Sequence, residues 1–239
     1  MKIIVLVSAI AEWEGVKPLF PNAEFIITPF GESMNVNLET ENPKPETPAL
    51  SNLEGWNLTL LHSGWGKIAS AASIQYVIDR YSPDLIVNLG TCGGIADVVN
   101  RGDLILVERA FVYDIIELMG DLDISTYYAS SLDLSWLADP LPHPARRGLI
   151  ASADSDLPPG KIPFLKSQGA LAADWESAAL AWVAKKNNAR LLILRMVSDL
   201  VSEQNGEVYG DIEIYKQRTR DIMKQLFEQL PDWLNAVRV

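Results

Sequence analysis

The sequence predicts an α/β protein of three layers, α/β/α, with a central mixed and largely parallel sheet between helices. Three observations lead there. Short runs rich in Val, Ile and Leu recur along the chain, several of them apolar at every position, as strands covered on both faces must be. Between them lie stretches whose apolar residues repeat at helical spacing. With 239 residues, 48% of them hydrophobic, the chain is long enough to bury one sizeable core.

The elements follow in order. Ile3–Val7 opens the chain as an apolar run. Ala9-Ile10-Ala11 behind it imitates a signal-peptidase site, but Ser8 interrupts the run, which is shorter than the roughly 7–15 apolar residues of a secretory segment. We therefore read it as a first buried strand. Further strands are expected at 25–28, Leu58–His62, 85–89, 104–107, 149–151 and 191–197. Helices are expected over 67–81, over the alanine-rich 176–186, and over the amphipathic 212–230, which Pro231 should stop. Residues 37–48 are polar and proline-rich and read as a loop; 127–144 reads as a mobile or interface segment. Neither an internal repeat nor a low-complexity linker is evident, so residues 1–239 are expected to form a single domain.

Composition narrows the function. Twenty Lys and Arg against 31 Asp and Glu leave a formal charge of −11, which repels phosphate backbones and anionic lipid. Nucleic acid and membrane are thus disfavoured as partners, whereas small-molecule chemistry in a closed pocket is untouched. Cys92 is the one cysteine and His62 and His143 are the two histidines, so neither a disulfide framework nor a usual zinc constellation is expected. A reducing cytoplasm is the expected compartment.

Five motifs stand out, four of them at expected strand ends, where open α/β sheets collect ligands. In Gly90-Thr91-Cys92-Gly93-Gly94, three glycines in five residues suit either a ligand approached closely or a plain tight turn. His62-Ser63-Gly64-Trp65-Gly66-Lys67 opens a helix whose N-terminus could cradle an anion, although it lacks both the P-loop and the dinucleotide spacing. In Asp174-Trp175-Glu176-Ser177, Asp174 reads as a helix cap; Glu176, in the first turn, either favours the helix dipole or grips hydroxyls in a pocket. Ser198-Asp199 ends an apolar strand, where an aspartate can be a turn cap or a partly desolvated general acid. Glu12 and Glu14 follow the first strand, as pocket carboxylates or as acids in the first turn of a helix starting near Glu12. Carboxyl groups on opposite sides of a bond are what glycosidic cleavage needs.

With these residues, in this order, the chain resembles the nucleoside phosphorylase/nucleosidase superfamily, most of all its methylthioadenosine/S-adenosylhomocysteine nucleosidase and futalosine hydrolase branch. Arg101-Gly102-Asp103 belongs to the same ordered set. The resemblance implies a phosphorylase-type fold. It makes Glu176 the group that binds ribose hydroxyls and steadies a cationic sugar, and Asp199 the acid that protonates N7 of a departing purine. It puts Trp175 under sugar and base, lines base and ribose with Thr91, Cys92 and Gly93, and closes the 5′ side with Tyr209, whose hydroxyl suits a 5′ end that is not purely apolar. Ile10, Trp65 and Leu157 are further expected substrate contacts, and Arg195 is expected to be structural. The water-activating glutamate of the family falls, by spacing, on Trp13; a one-residue shift gives Glu12, which we favour, or Glu14. Asp156 stands where the family often carries a base-stacking aromatic, so adenine specificity does not carry over with the resemblance.

The expected activity is hydrolysis of the N-glycosidic bond of a purine nucleoside, without metal or organic cofactor, by a homodimer whose partner completes the 5′ side. Apolar residues around 111–116 would suit such an interface. Phosphorolysis is the nearest rival, but phosphate-binding groups are scarce where phosphate would sit: after Gly94 the first arginine is Arg101. A non-catalytic nucleoside-binding module is the rival of another class, and a nicotinamide oxidoreductase is disfavoured by the missing GxGxxG.

Overall fold

The computed structural model describes residues 1–36, 56–119 and 124–238. The loop expected at 37–48 lies outside them. The strands are β1 (Ile3–Val7), β2 (Phe25–Ile27), β3 (Glu32–Val36), β4 (Leu58–His62), β5 (Leu85–Ile95), β6 (Leu104–Val112), β7 (Ser130–Ser131), β8 (Arg146–Ser152), β9 (Ala170–Asp174) and β10 (Leu191–Val201). The helices are α1 (Ile10–Val16), α2 (Gly66–Tyr81), α3 (Ile124–Tyr127), α4 (Ile162–Ser167), α5 (Ser177–Lys186) and α6 (Ile212–Asn235).

Among the described residues, ten strands join one mixed sheet. β1 lies between β4 and β5, parallel to both. β5 runs parallel to β10 along ten register pairs, β10 pairs antiparallel with β6, β6 runs parallel to β8 and β8 to β9, and β9 returns antiparallel to β5. Five strands thus close on themselves, and β1, β4, β3 and β2 extend from β5 as an open wing. The long pairings are parallel and the antiparallel ones are short.

Alternation along β1 explains the layers. Ile3, Val5 and Val7 face a core shared with Trp13 of α1 and with Met223, Phe227 and Leu230 of α6. Ile4 and Leu6 face the opposite core, shared with Ile74 and Val77 of α2 and Leu180 and Ala184 of α5. Each such buried aliphatic side chain contributes about 1.5–3 kcal/mol through removal from water. No helix among the described residues is long and apolar enough to cross a membrane.

The structure corrects four expectations. β5 does not end in a turn at Gly90; it continues as strand through the glycines to Ile95. A Cβ on Gly94 would come within 2.6 Å of Val197 and 2.7 Å of Val99, so glycine is what lets β5 and β10 lie this close. α6 does not stop at Pro231 but carries it inside the helix to Asn235. Proline removes one helical hydrogen bond, yet the turn beyond it buries Trp233 and Leu234 completely or nearly so, which offsets the loss. α1 begins at Ile10 rather than Glu12. In the 111–116 stretch, Phe111, Val112 and Tyr113 are buried in the core; the exposed apolar residues are Ile116 and, beyond it, Leu118 and Met119.

Candidate active site

The carboxyl ends of β1, β5, β9 and β10 open into a cavity of about 610 Å³, whose wall includes Glu12, Thr91, Asp174, Glu176 and Asp199. In this closed mixed sheet, as in open ones, the ligand site lies where strands end and the chain turns away.

Glu12 is in the first turn of α1, directly after β1, and is 3% exposed. Its Oε1 accepts from the Thr91 amide at 2.6 Å and the Thr91 hydroxyl at 2.9 Å, and its Oε2 accepts from the Ala9 amide at 3.1 Å. Glu14 points the other way: its side chain is 61% exposed and lies 3.4 Å from Lys17. A helix turns about 100° per residue, so two positions on from Glu12 the side chain faces solvent. Ile10 is turned outward for the same reason and is not part of the wall; Ala9 takes its place.

Glu176 is the cap residue of α5, not a first-turn residue, and its Oε1 accepts from the Gly66 amide at 3.1 Å. Burial, together with the negative charge of Asp174, raises its pKa to about 8, and Arg195 opposes that rise. Asp174 does cap α5 with its side chain, accepting from the Ser177 amide at 3.2 Å. It also receives Arg195 Nε at 2.8 Å and the Ser152 hydroxyl at 2.5 Å. Arg195 is fully buried, and its Nη2 lies 3.8 Å from Glu176. Burial opposes its charge, but Asp174, Glu12 and Glu176 outweigh burial and keep the guanidinium protonated. A Cβ on Gly90 would press on Arg195 Nη1 and sit 2.7 Å from Glu12 Oε1, so glycine there leaves room for both charged groups beside the strand.

Asp199 is aimed by a β-bulge. Val197 pairs with Cys92 and Asp199 with Gly93, so Ser198 is the extra residue. Bulges re-aim side chains, and this one turns Asp199 into the cavity. Burial raises its pKa, while the Ser198 hydroxyl, donating to Oδ1 at 2.6 Å, works against that rise. The group is a carboxylic acid biased towards holding its proton, which a general acid requires.

The N-terminus of α2 is already occupied by the protein's own carboxylates. Glu176 takes the Gly66 amide, and Asp154 takes the Lys67 amide at 2.8 Å. The anion cradle suggested by the sequence is thus filled from within. Around the cavity stand Glu12, Asp156, Asp174, Glu176, Asp199 and Asp211, and among the described lining residues there is no Lys, Arg or His.

Residues 24–228 match the family model of the phosphorylase superfamily. The chain belongs to this superfamily. Curated relatives include the 5′-methylthioadenosine/S-adenosylhomocysteine nucleosidase of Anoxybacillus flavithermus, 29% identical over 168 residues, which are 64% of this chain and 72% of the relative. That of Bacillus licheniformis is 26% identical over 192 residues, 74% of this chain and 83% of the relative. Among solved structures, the Streptococcus pneumoniae nucleosidase with a transition-state inhibitor superposes with a TM-score of 0.72 at 21% identity, covering 99% of each chain. A nucleosidase structure from Francisella philomiragia gives 0.76 at 18% identity, again over 99% of each chain. These likenesses show a common phosphorylase-type fold.

The other residues expected at the site divide by what they face. Thr91, Cys92, Gly93, Leu157 and Trp175 line the cavity. Burial raises the Cys92 thiol well above its ordinary pKa, which disfavours the thiolate. Trp65 is 57% exposed yet lines the mouth, its ring 4.8 Å from that of Trp175. Tyr209 presents its ring to the cavity, while its hydroxyl donates to the Leu157 carbonyl at 2.6 Å and ties that loop down. Sequence reasoning missed Tyr215, which reaches the wall from α6. Burial and the charge of Glu12 raise its phenol to about 12, and its hydroxyl faces Thr91 and Thr219. Tyr215, Thr219, Ile222 and Leu226 recur at helical spacing; that pattern marks the face turned to the sheet, but not the cavity at its end.

Proposed function

We propose that this chain hydrolyses the N-glycosidic bond of a purine nucleoside, of the methylthioadenosine/S-adenosylhomocysteine or futalosine kind, to free base and sugar. The observation that carries the reading is a cavity ringed by carboxyl groups on separate strand ends, three of them suited to three tasks. Asp199 donates its proton to N7 of the base, and the electrons of the breaking N9–C1′ bond pass into the ring. Glu176 accepts from the ribose hydroxyls, and as pH rises through its raised pKa of about 8 its negative form steadies the cationic sugar more strongly. Glu12, held by Thr91 and Ala9, takes a proton from water as the oxygen bonds to C1′. Nucleosidases are what the curated relatives are named.

Water is the nucleophile because phosphate would meet the same ring of carboxylates with no cationic side chain on the wall. Residues 1–239 are read as one domain. The assembly is read as a homodimer: Ile68 at 85% exposure and Ile116 at 72% flank the Lys67–Asp114 ion pair, beside the exposed Trp65 at the cavity mouth. The free, buried thiol of Cys92 suits a cytoplasmic setting.

The test is release of free base from methylthioadenosine, S-adenosylhomocysteine, adenosine, inosine and futalosine, with and without phosphate, for wild type and Asp199→Asn. Phosphate-independent release, lowered in the variant by about 100-fold or more, is the expected result. Release only with phosphate makes the chain a phosphorylase. Binding without release from any of them makes it a nucleoside-binding module.

A further inference from the structure

Six carboxylates line the cavity, and five are held by the protein. Glu12 is bound by Thr91, Asp174 by Arg195, Glu176 by the Gly66 amide, Asp199 by Ser198 and Asp211 by the Ile214 amide. Asp156 is the exception: among the described residues no hydrogen bond or ion pair reaches it. Its backbone is nonetheless held on both sides. The Ala153 amide donates to the Asp174 carbonyl at 3.1 Å and the Asp154 amide to Asp114 at 2.9 Å; downstream, Leu157 is buried and receives the Tyr209 hydroxyl. A carboxylate on an anchored loop, facing a cavity and unbound by the protein, is free to accept from a ligand.

Its position suggests which part of the ligand. Asp156 lines the same cavity as Asp199 and Tyr209, close enough for its charge to act on both of them. On the reading that Asp199 serves N7, the next group along that edge of a purine is the substituent on carbon 6. It is a hydrogen-bond donor when amino, as in adenine, and an acceptor when oxo, as in guanine.

We infer that Asp156 is a specificity-determining residue that reads carbon 6 of the base, accepting from a 6-amino group and repelling a 6-oxo group. A carboxylate has acceptors and no donor, so the oxo base meets both a lost hydrogen bond and an unfavourable dipole. Stacking by an aromatic could not make this distinction, because both bases offer a similar ring face. The inference rests on the nucleosidase reading.

The experiment compares kcat/KM for 5′-methylthioadenosine and 5′-methylthioinosine, which differ at carbon 6 and in the ring proton that goes with it. The proteins are wild type, Asp156→Asn and Asp156→Ala. Wild type is expected to prefer the amino compound by about 100-fold or more. Asparagine can turn its amide to donate to an oxo group, so in Asp156→Asn the preference should fall at least about tenfold, mainly by gain on the inosine compound. Asp156→Ala should lose preference with an unchanged melting temperature, since the side chain is exposed and unpaired. A preference in Asp156→Asn within about twofold of wild type, or no preference in wild type, overturns the inference and leaves the nucleosidase reading standing. If wild type releases base from neither compound nor from the other nucleosides, that reading falls and takes the inference with it.

Discussion

Glu12 and Glu14 are two residues apart and chemically identical, yet only one carries a catalytic expectation. Glu12 accepts three hydrogen bonds at the cavity wall, and Glu14 lies in solvent beside Lys17. Glu12→Gln keeps the size and can still be held by Thr91, but it cannot take a proton from water. Base release should fall by about 100-fold or more, with nucleoside binding retained in a direct titration. Glu14→Gln should match wild type within about twofold, because an exposed ion pair of this kind contributes little. Equal losses in both variants would remove Glu12 from the role assigned to it. The sequence placed a glutamate just after the first strand and left the choice between the two open. The start of α1 at Ile10 settled which one faces inward, since one residue of offset is about 100° of rotation.

At the scale of elements, the meeting of β5 and β10 is the feature on which the site depends. Gly94 lies in the paired stretch of these strands, and an added methyl would press on Val197, Val99 and Leu200. Gly94→Ala should destabilise the fold by about 1–3 kcal/mol, read by denaturant titration, and should also lower activity because the same strands carry Thr91 and Asp199. Full stability in Gly94→Ala would show that the strands can separate at no cost. The strands that sequence reasoning found are the aliphatic ones. β9, whose sequence is Ala-Leu-Ala-Ala-Asp, reads locally as helix-former; its partners β5 and β8 make it a strand. β3 is half polar and becomes legible only through its pairing with β4. The end of α6 was misplaced because proline weighs heavily in a local reading, and burial of Trp233 decided the outcome.

The whole molecule holds charge in its interior, and that sets a dependence on pH. Glu176 has a pKa of about 8 in the folded chain, above its ordinary 4.5. The folded state therefore binds this proton more tightly than the unfolded state. The stability it contributes is fully present below about pH 4.5 and is lost as pH rises through about 8. Glu176→Gln removes the titration. Its melting temperature relative to wild type should be higher at pH 9 than at pH 5, whatever the absolute difference. A difference that stays constant between those two pH values would refute the raised pKa. Arg195 belongs to the same charge system: taking it away would leave Asp174, Glu176 and Glu12 without their buried cation. Arg195→Met is expected to cost about 3–5 kcal/mol on urea unfolding, the usual penalty for breaking a buried pair.

The sequence by itself determined the layered α/β class, most of the apolar strands and the main helices, because periodicity and composition act over a few residues and survive in any surroundings. Through its resemblance to the superfamily it also pointed to Glu176 and Asp199, and to a glutamate after the first strand that could be Glu12 or Glu14. What only the tertiary structure decided is which groups meet. The closure of β9 on β5 brings Asp174 to Arg195, the bulge at Ser198 aims Asp199, and α6 returns Tyr215 to a cavity that begins at residue 9. These contacts join residues far apart in the chain. Their geometry is set by strand register and helix docking, which no local pattern of side chains encodes.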